Sequence, residues 1–60
     1  MKYWQVRFDD RELVGQNGWL ELDDANGTNR LFTDDGTLVT EGISYTPIDT
    51  DPTPPSWATP

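Results

Sequence analysis

Sixty residues carry eleven acids and four bases, with neither cysteine nor histidine. Those counts exclude disulfide bridges, Cys/His zinc sites, thiol nucleophiles and histidine-based acid–base catalysis. A net charge of −7 opposes nucleic acid and anionic membranes, and leaves basic protein surfaces as the electrostatically favoured partners.

A chain of this length buries only about 60% of the surface that its unfolded state exposes. One marginal domain is therefore expected, firmer with a partner or in an oligomer. The charge is uneven: residues 1–30 hold six acids and all four bases, residues 31–60 five acids and no base. Met1-Lys2 is followed by polar and aromatic residues with no apolar h-region, and no apolar run approaches a membrane span. The expected location is the cytoplasm or a virion.

In chain order, Lys2 to Phe8 alternates as a half-buried strand, with Trp4, Val6 and Phe8 on one face and Tyr3, Gln5 and Arg7 on the other. Asp9-Asp10-Arg11 predicts a polar turn, and Glu12 to Gln16 a short strand. Three turn signals then recur nine residues apart: Asn17-Gly18, Asn26-Gly27 and Asp35-Gly36. Each pair tolerates the positive φ angles of a tight hairpin turn. Between them lie strand-sized segments: Trp19 to Leu22 with Leu20 and Leu22 on one face, then Thr28 to Thr33. After the last turn comes Leu38-Val39.

In the pairs Leu31-Phe32 and Leu38-Val39, neighbouring apolar residues must point oppositely, which implies two apolar faces. Gly42 ends the strand that holds Leu38-Val39. Ile43, Tyr45 and Pro47 form one side of a last extended piece, which Pro47 confines to a sheet edge or sends out of the sheet. No segment has helical periodicity, so helix is expected to be absent or limited to one turn. The expected fold is all-β: an antiparallel meander of four to six strands over residues 1–46, curled or barrel-like. The expected core is Trp4, Val6, Phe8, Leu13, Leu20, Leu22, Phe32, Val39, Ile43 and Tyr45, with Leu31 and Leu38 facing a second surface.

Residues 47–60 hold five prolines among Asp and Thr, and predict an extended acidic arm. Trp57 stands out in it as a large apolar group whose exposure forgoes about 2–3 kcal/mol. The favoured reading is an anchor on a partner or a neighbouring copy; the others are a free tail and a fold-back onto the chain's own sheet. Trp57, Pro54, Pro55, Tyr45 and Ile48 are accordingly the candidate partner-binding residues.

No residue set points to catalysis, a cofactor or a metal. The carboxylate pairs Asp9-Asp10, Asp23-Asp24 and Asp34-Asp35 fall at turns, on a chain too short to enclose a substrate. The oxygen-rich run from Asp23 to Asn29 fails as an EF-hand, because counting Gly27 as the sixth position puts Thr33 where the glutamate belongs. Asn26-Gly27-Thr28 reads as a turn although it matches a glycosylation sequon. Pro52-Thr53-Pro54-Pro55 lacks the basic flank usual in polyproline ligands. Dissimilar strands argue against a solenoid.

Together these features suggest a non-enzymatic accessory subunit that docks on a larger assembly through its arm, built like a small phage capsid or tail component. The alternative is a nucleic-acid mimic, with Asp34, Asp35, Glu41, Asp49 and Asp51 as an acidic face that enters the basic groove of a nucleic-acid enzyme.

Overall fold

A computed structural model describes residues 2–58 as one open antiparallel sheet. Its strands are β1 (Lys2–Phe8), β2 (Asn17–Asp23), β3 (Thr28–Thr33), β4 (Leu38–Val39) and β5 (Tyr45–Asp49). Their order is β4-β3-β2-β1-β5. The first four form a meander, and the fifth returns to the free side of β1. The fold is all-β, as the alternation predicts, and the sheet does not close into a barrel. Helical structure among the described residues is confined to two three-residue 3-10 turns, Arg11–Leu13 and Ser56–Ala58.

Register decides which side chains share a face. Trp4 lies opposite Leu20, which in turn lies opposite Leu31, itself opposite Val39. This face carries the core: Val6, Phe8, Leu20 and Ile43 are buried, with Trp4, Leu13, Leu22, Leu31 and Val39 packed against them. Leu13 comes from the β1–β2 connection and Ile43 from the β4–β5 connection, so two loops cover what one sheet face exposes. Leu31 thus belongs to this core, and Phe32 belongs to the opposite face, reversing the expected assignment. Phe32 pairs with Trp19 in the β2–β3 ladder, and Trp19 is buried at 7% exposure. Tyr45 is 36% exposed because its strand is an edge with no neighbour beyond it.

Two of the three turn signals form turns. Asp24 to Gly27 connects β2 to β3, and Asp34 to Gly36 leads out of β3, with φ +67 at Gly27 and +93 at Gly36. Asn17-Gly18 instead opens β2, with Gly18 opposite Val6 and Thr33. Its glycine is needed for space: an added Cβ would stand 2.3 Å from Phe8 Cε2 and 2.6 Å from the Phe32 carbonyl oxygen. The reversal before β2 falls earlier, at Gly15 with φ +80, whose N–H donates to the Phe8 carbonyl at 2.8 Å. The expected strand from Glu12 to Gln16 is accordingly the 3-10 turn and this reversal.

β5 is an edge whose outward side is blunted. Asp9 N–H donates to the Ser44 carbonyl, so the polar groups of Thr46, two residues on, also face β1, and those of Tyr45 and Pro47 face outward. Pro47 has no N–H to offer a further strand there. The ladder skips Ile48 between Pro47 and Asp49, leaving it as a bulge residue at 46% exposure.

Candidate docking surface

The second sheet face is covered by the chain's own C-terminal segment. Tyr3, Trp19, Glu21, Arg30 and Phe32 occupy it by alternation along β1 to β3. From Asp49 the chain leaves the β5 edge and brings Trp57 over β2, between Tyr3 on one side and Phe32 on the other. The ring centroids lie 5.9 Å apart for Tyr3 and Trp57, edge-on, and 5.1 Å for Phe32 and Trp57, tilted. The Trp57 indole N–H donates to the Asp34 carbonyl at 3.1 Å. Pro55 is buried, and its carbonyl accepts from Ala58 N–H at 3.0 Å.

Beneath this strap runs a polar network. The Tyr3 hydroxyl donates to Glu21 Oε2 at 2.7 Å, and Arg30 donates Nε to Glu21 Oε1 at 2.8 Å and Nη2 to the same oxygen. Burial alone would raise the Glu21 carboxyl, but the Tyr3 bond together with the Arg30 bonds and charge holds it below its ordinary range. Tyr3 is pushed up to about 12 by burial first, then by its bond to Glu21 and the charge of that carboxylate. Arg30 also lies 5.7 Å over the Phe32 ring. A satisfied network of this kind fixes the face and offers no free acid or base.

The open concavity lies elsewhere, around the β4 edge. A groove of about 730 Å³ is lined by Leu13, Val39 and Ile43 from the core side and by Leu38, 46% exposed, at the edge strand itself, where its pairing with Phe32 sets it toward the strapped side. Glu12 and Glu41 stand on its rim. A smaller concavity adjoins it at Thr33 and is lined by Gln16, Asp34, Asp35 and Thr37. Arg11 closes the groove between its two loops, with Nη1 on Glu41 Oε2 at 2.8 Å and Nε 3.5 Å from Asp10 Oδ1. Its backbone has φ +57, a left-handed conformation that is uncommon for a non-glycine residue.

Of the residues marked as partner-binding from the sequence, Tyr45, Ile48 and Pro54 are exposed, whereas Pro55 is buried and Trp57 lies against its own sheet. The five acids marked as one face are spread out. Asp34 and Asp35 follow the C-terminal end of β3, while Asp49 ends β5, which runs antiparallel to β1 and hence to β3. Asp49 pairs with Gln5, which lies opposite Trp19 and through it Phe32, so Asp49 is level with the end of β3. The width of β2 and β1 separates it from Asp34 and Asp35, and Glu41 is engaged by Arg11. Sequence reasoning missed the groove because its lining comes from two loops and a two-residue strand. Its one visible trace was the pair Leu38-Val39, whose side chains must point to both sides of a short edge strand.

Among the described residues, no group of three or more His, Cys, Asp or Glu is arranged to hold a metal ion, and no helix is long and apolar enough to cross a membrane. Comparison with protein families, with curated proteins and with solved structures finds no match to this chain.

Proposed function

We propose that this protein is a non-enzymatic accessory subunit that docks on a larger protein assembly, a design of the kind found in small phage virion components. The observation that supports this most directly is the groove at the β4 edge. A strongly acidic chain of 60 residues leaves Leu38 exposed beside an apolar floor, where a partner would remove apolar area from water. The sequence supplies no histidine or cysteine for chemistry, and the Glu21 carboxylate beneath the strap is already committed to Tyr3 and Arg30.

The acidic-mimic reading keeps one supporting observation. Arg7, Arg11 and Arg30 each sit beside a carboxylate, so little positive charge offsets the remaining acids. Affinity capture from the native source at low and high salt separates the two readings. A scaffold protein retained through high salt supports the accessory subunit. A nuclease or polymerase released by moderate salt and displaced by DNA or RNA supports the mimic. Capture of no protein at either salt contradicts both.

A further inference from the structure

The β4-edge groove combines an apolar floor with a rim of one charge sign, and that combination selects its occupant. Resting on the accessory-subunit reading, we infer that the groove takes a segment of the partner that presents large aliphatic side chains flanked by lysine or arginine.

The floor of Leu13, Val39 and Ile43 calls for an aliphatic group, and Leu38 lies exposed at the edge strand beside it. Around it stand Glu12 and Glu41, and the adjoining concavity adds Asp34 and Asp35. The cation on the lining, Arg11, is already engaged by Asp10 and Glu41, so the field over the groove is negative. These carboxylates are also held in place. Asp34 Oδ1 accepts from Trp19 Nε1 at 3.1 Å, and Asp35 Oδ1 accepts from Thr37 N–H at 3.1 Å and from the Thr33 hydroxyl. The Thr33 and Thr37 bonds favour the ionised Asp35. A cation therefore meets acceptors that lose little freedom on binding it.

Other occupants fit less well. A second copy carries the same net charge of −7 and is repelled by the rim. Strand addition at this edge has only the two residues of β4 to pair with. Side-chain insertion, steered by charge, is the mode that remains.

The test is a titration of the isotope-labelled full chain, followed by NMR. The probe is a short synthetic peptide of two leucines flanked on both sides by arginine and lysine. Control peptides replace the leucines by serine, or the bases by glutamate. The expected result is shifts centred on Leu13, Thr33, Leu38 and Val39, with both controls binding about tenfold or more weakly, a decade being about 1.4 kcal/mol. Leu38→Ser should weaken the probe about tenfold, and the charge reversal Glu12→Lys severalfold, each with the sheet spectrum otherwise intact. Two variants keep the test valid if one fails to fold.

Absence of shifts, shifts confined to the strapped face or to β5, or a serine or glutamate peptide that binds as tightly as the probe overturns the inference. If the native source yields a retained scaffold protein while the groove stays unperturbed by the probe, this inference fails and the accessory reading stands. If capture also fails, both fall.

Discussion

The indole of Trp57 lies on Gly36, so close that a Cβ added to the glycine would stand 3.0 Å from Trp57 Cδ2 and 3.1 Å from Cγ. The same turn offers the Asp34 carbonyl to the indole N–H. The β3–β4 turn is therefore the seat of the strap as well as a reversal of the chain, and two demands meet at one glycine. Gly36→Ala conflicts with φ +93 and displaces the ring together. The expected cost is about 1–3 kcal/mol, read as a lower midpoint in thermal or urea unfolding. A midpoint unchanged from the native chain contradicts the seat.

Trp57→Ala removes the strap contact and leaves the turn intact. With the ring half-buried, the expected loss is about 1–3 kcal/mol, below that of a fully buried tryptophan. Amide hydrogen exchange should speed up at Tyr3 and Phe32 and change least at Val6 and Leu20 on the far face. Equal acceleration on both faces would mean that Trp57 supports the whole sheet and not its own face alone.

Gly18→Ala is expected to be the most damaging glycine substitution. The new methyl meets the Phe8 ring at 2.3–2.4 Å and the Phe32 carbonyl at 2.6 Å, and neither the buried ring nor the backbone has room to yield. Overpacking of this severity costs about 3 kcal/mol or more, enough to unfold a marginal domain. A folded, cooperative G18A protein by circular dichroism would refute the packing around Phe8.

The two polar tryptophan nitrogens on opposite faces should respond differently to substitution. Trp4 Nε1 is buried on the core face with no hydrogen-bond partner, whereas Trp19 Nε1 donates to Asp34. Trp4→Phe removes an unsatisfied donor along with some apolar area, so its cost should stay within about 1 kcal/mol. Trp19→Phe leaves Asp34 without its donor and should cost more by about 1 kcal/mol or above. Paired denaturant curves decide the order.

Stability should fall at both ends of the pH range. The pKa of Tyr3 in the folded protein is about 12 against an ordinary 10.0, so its protonated form favours folding. That contribution is complete below about pH 10 and is lost as pH rises from there toward 12. At the acid end Glu21, Asp23 and Asp35 all lie below their ordinary values. Their contribution is present above the ordinary carboxylate range and is lost as pH falls through and below it. Glu21→Gln should bring the Tyr3 titration, followed by its ring resonances, part of the way back toward 10, because the charge and the carboxylate acceptor are gone while the larger contribution of burial remains. A Tyr3 titration that the substitution leaves unmoved contradicts the network.

The sheet itself was legible in the sequence, because alternation in Lys2–Phe8 and the turns at Asn26-Gly27 and Asp35-Gly36 are local signals. What escaped was long-range. Asn17-Gly18 carries the same letters as a hairpin turn, yet its glycine makes room for Phe8, which only the β1–β2 register brings near. Leu31 and Phe32 are adjacent and apolar, and nothing local says which of them faces the core. Trp57 was conspicuous as an apolar residue in a polar tail. Its seat combines Tyr3, Phe32 and Gly36, which no spacing rule links. The groove was the least visible feature, being assembled from Leu13, Val39 and Ile43 across three segments.

The central claim is that the protein docks through the β4-edge groove, while Trp57 serves its own fold. The most direct measurement is partner affinity for the native chain, Leu38→Ser and Trp57→Ala, using the protein captured from the native source, at a temperature where all three are folded. The account predicts that Leu38→Ser weakens binding about tenfold and that Trp57→Ala leaves it nearly unchanged. Loss of the partner with Trp57→Ala and retention with Leu38→Ser would contradict it, and would make the C-terminal arm the docking element.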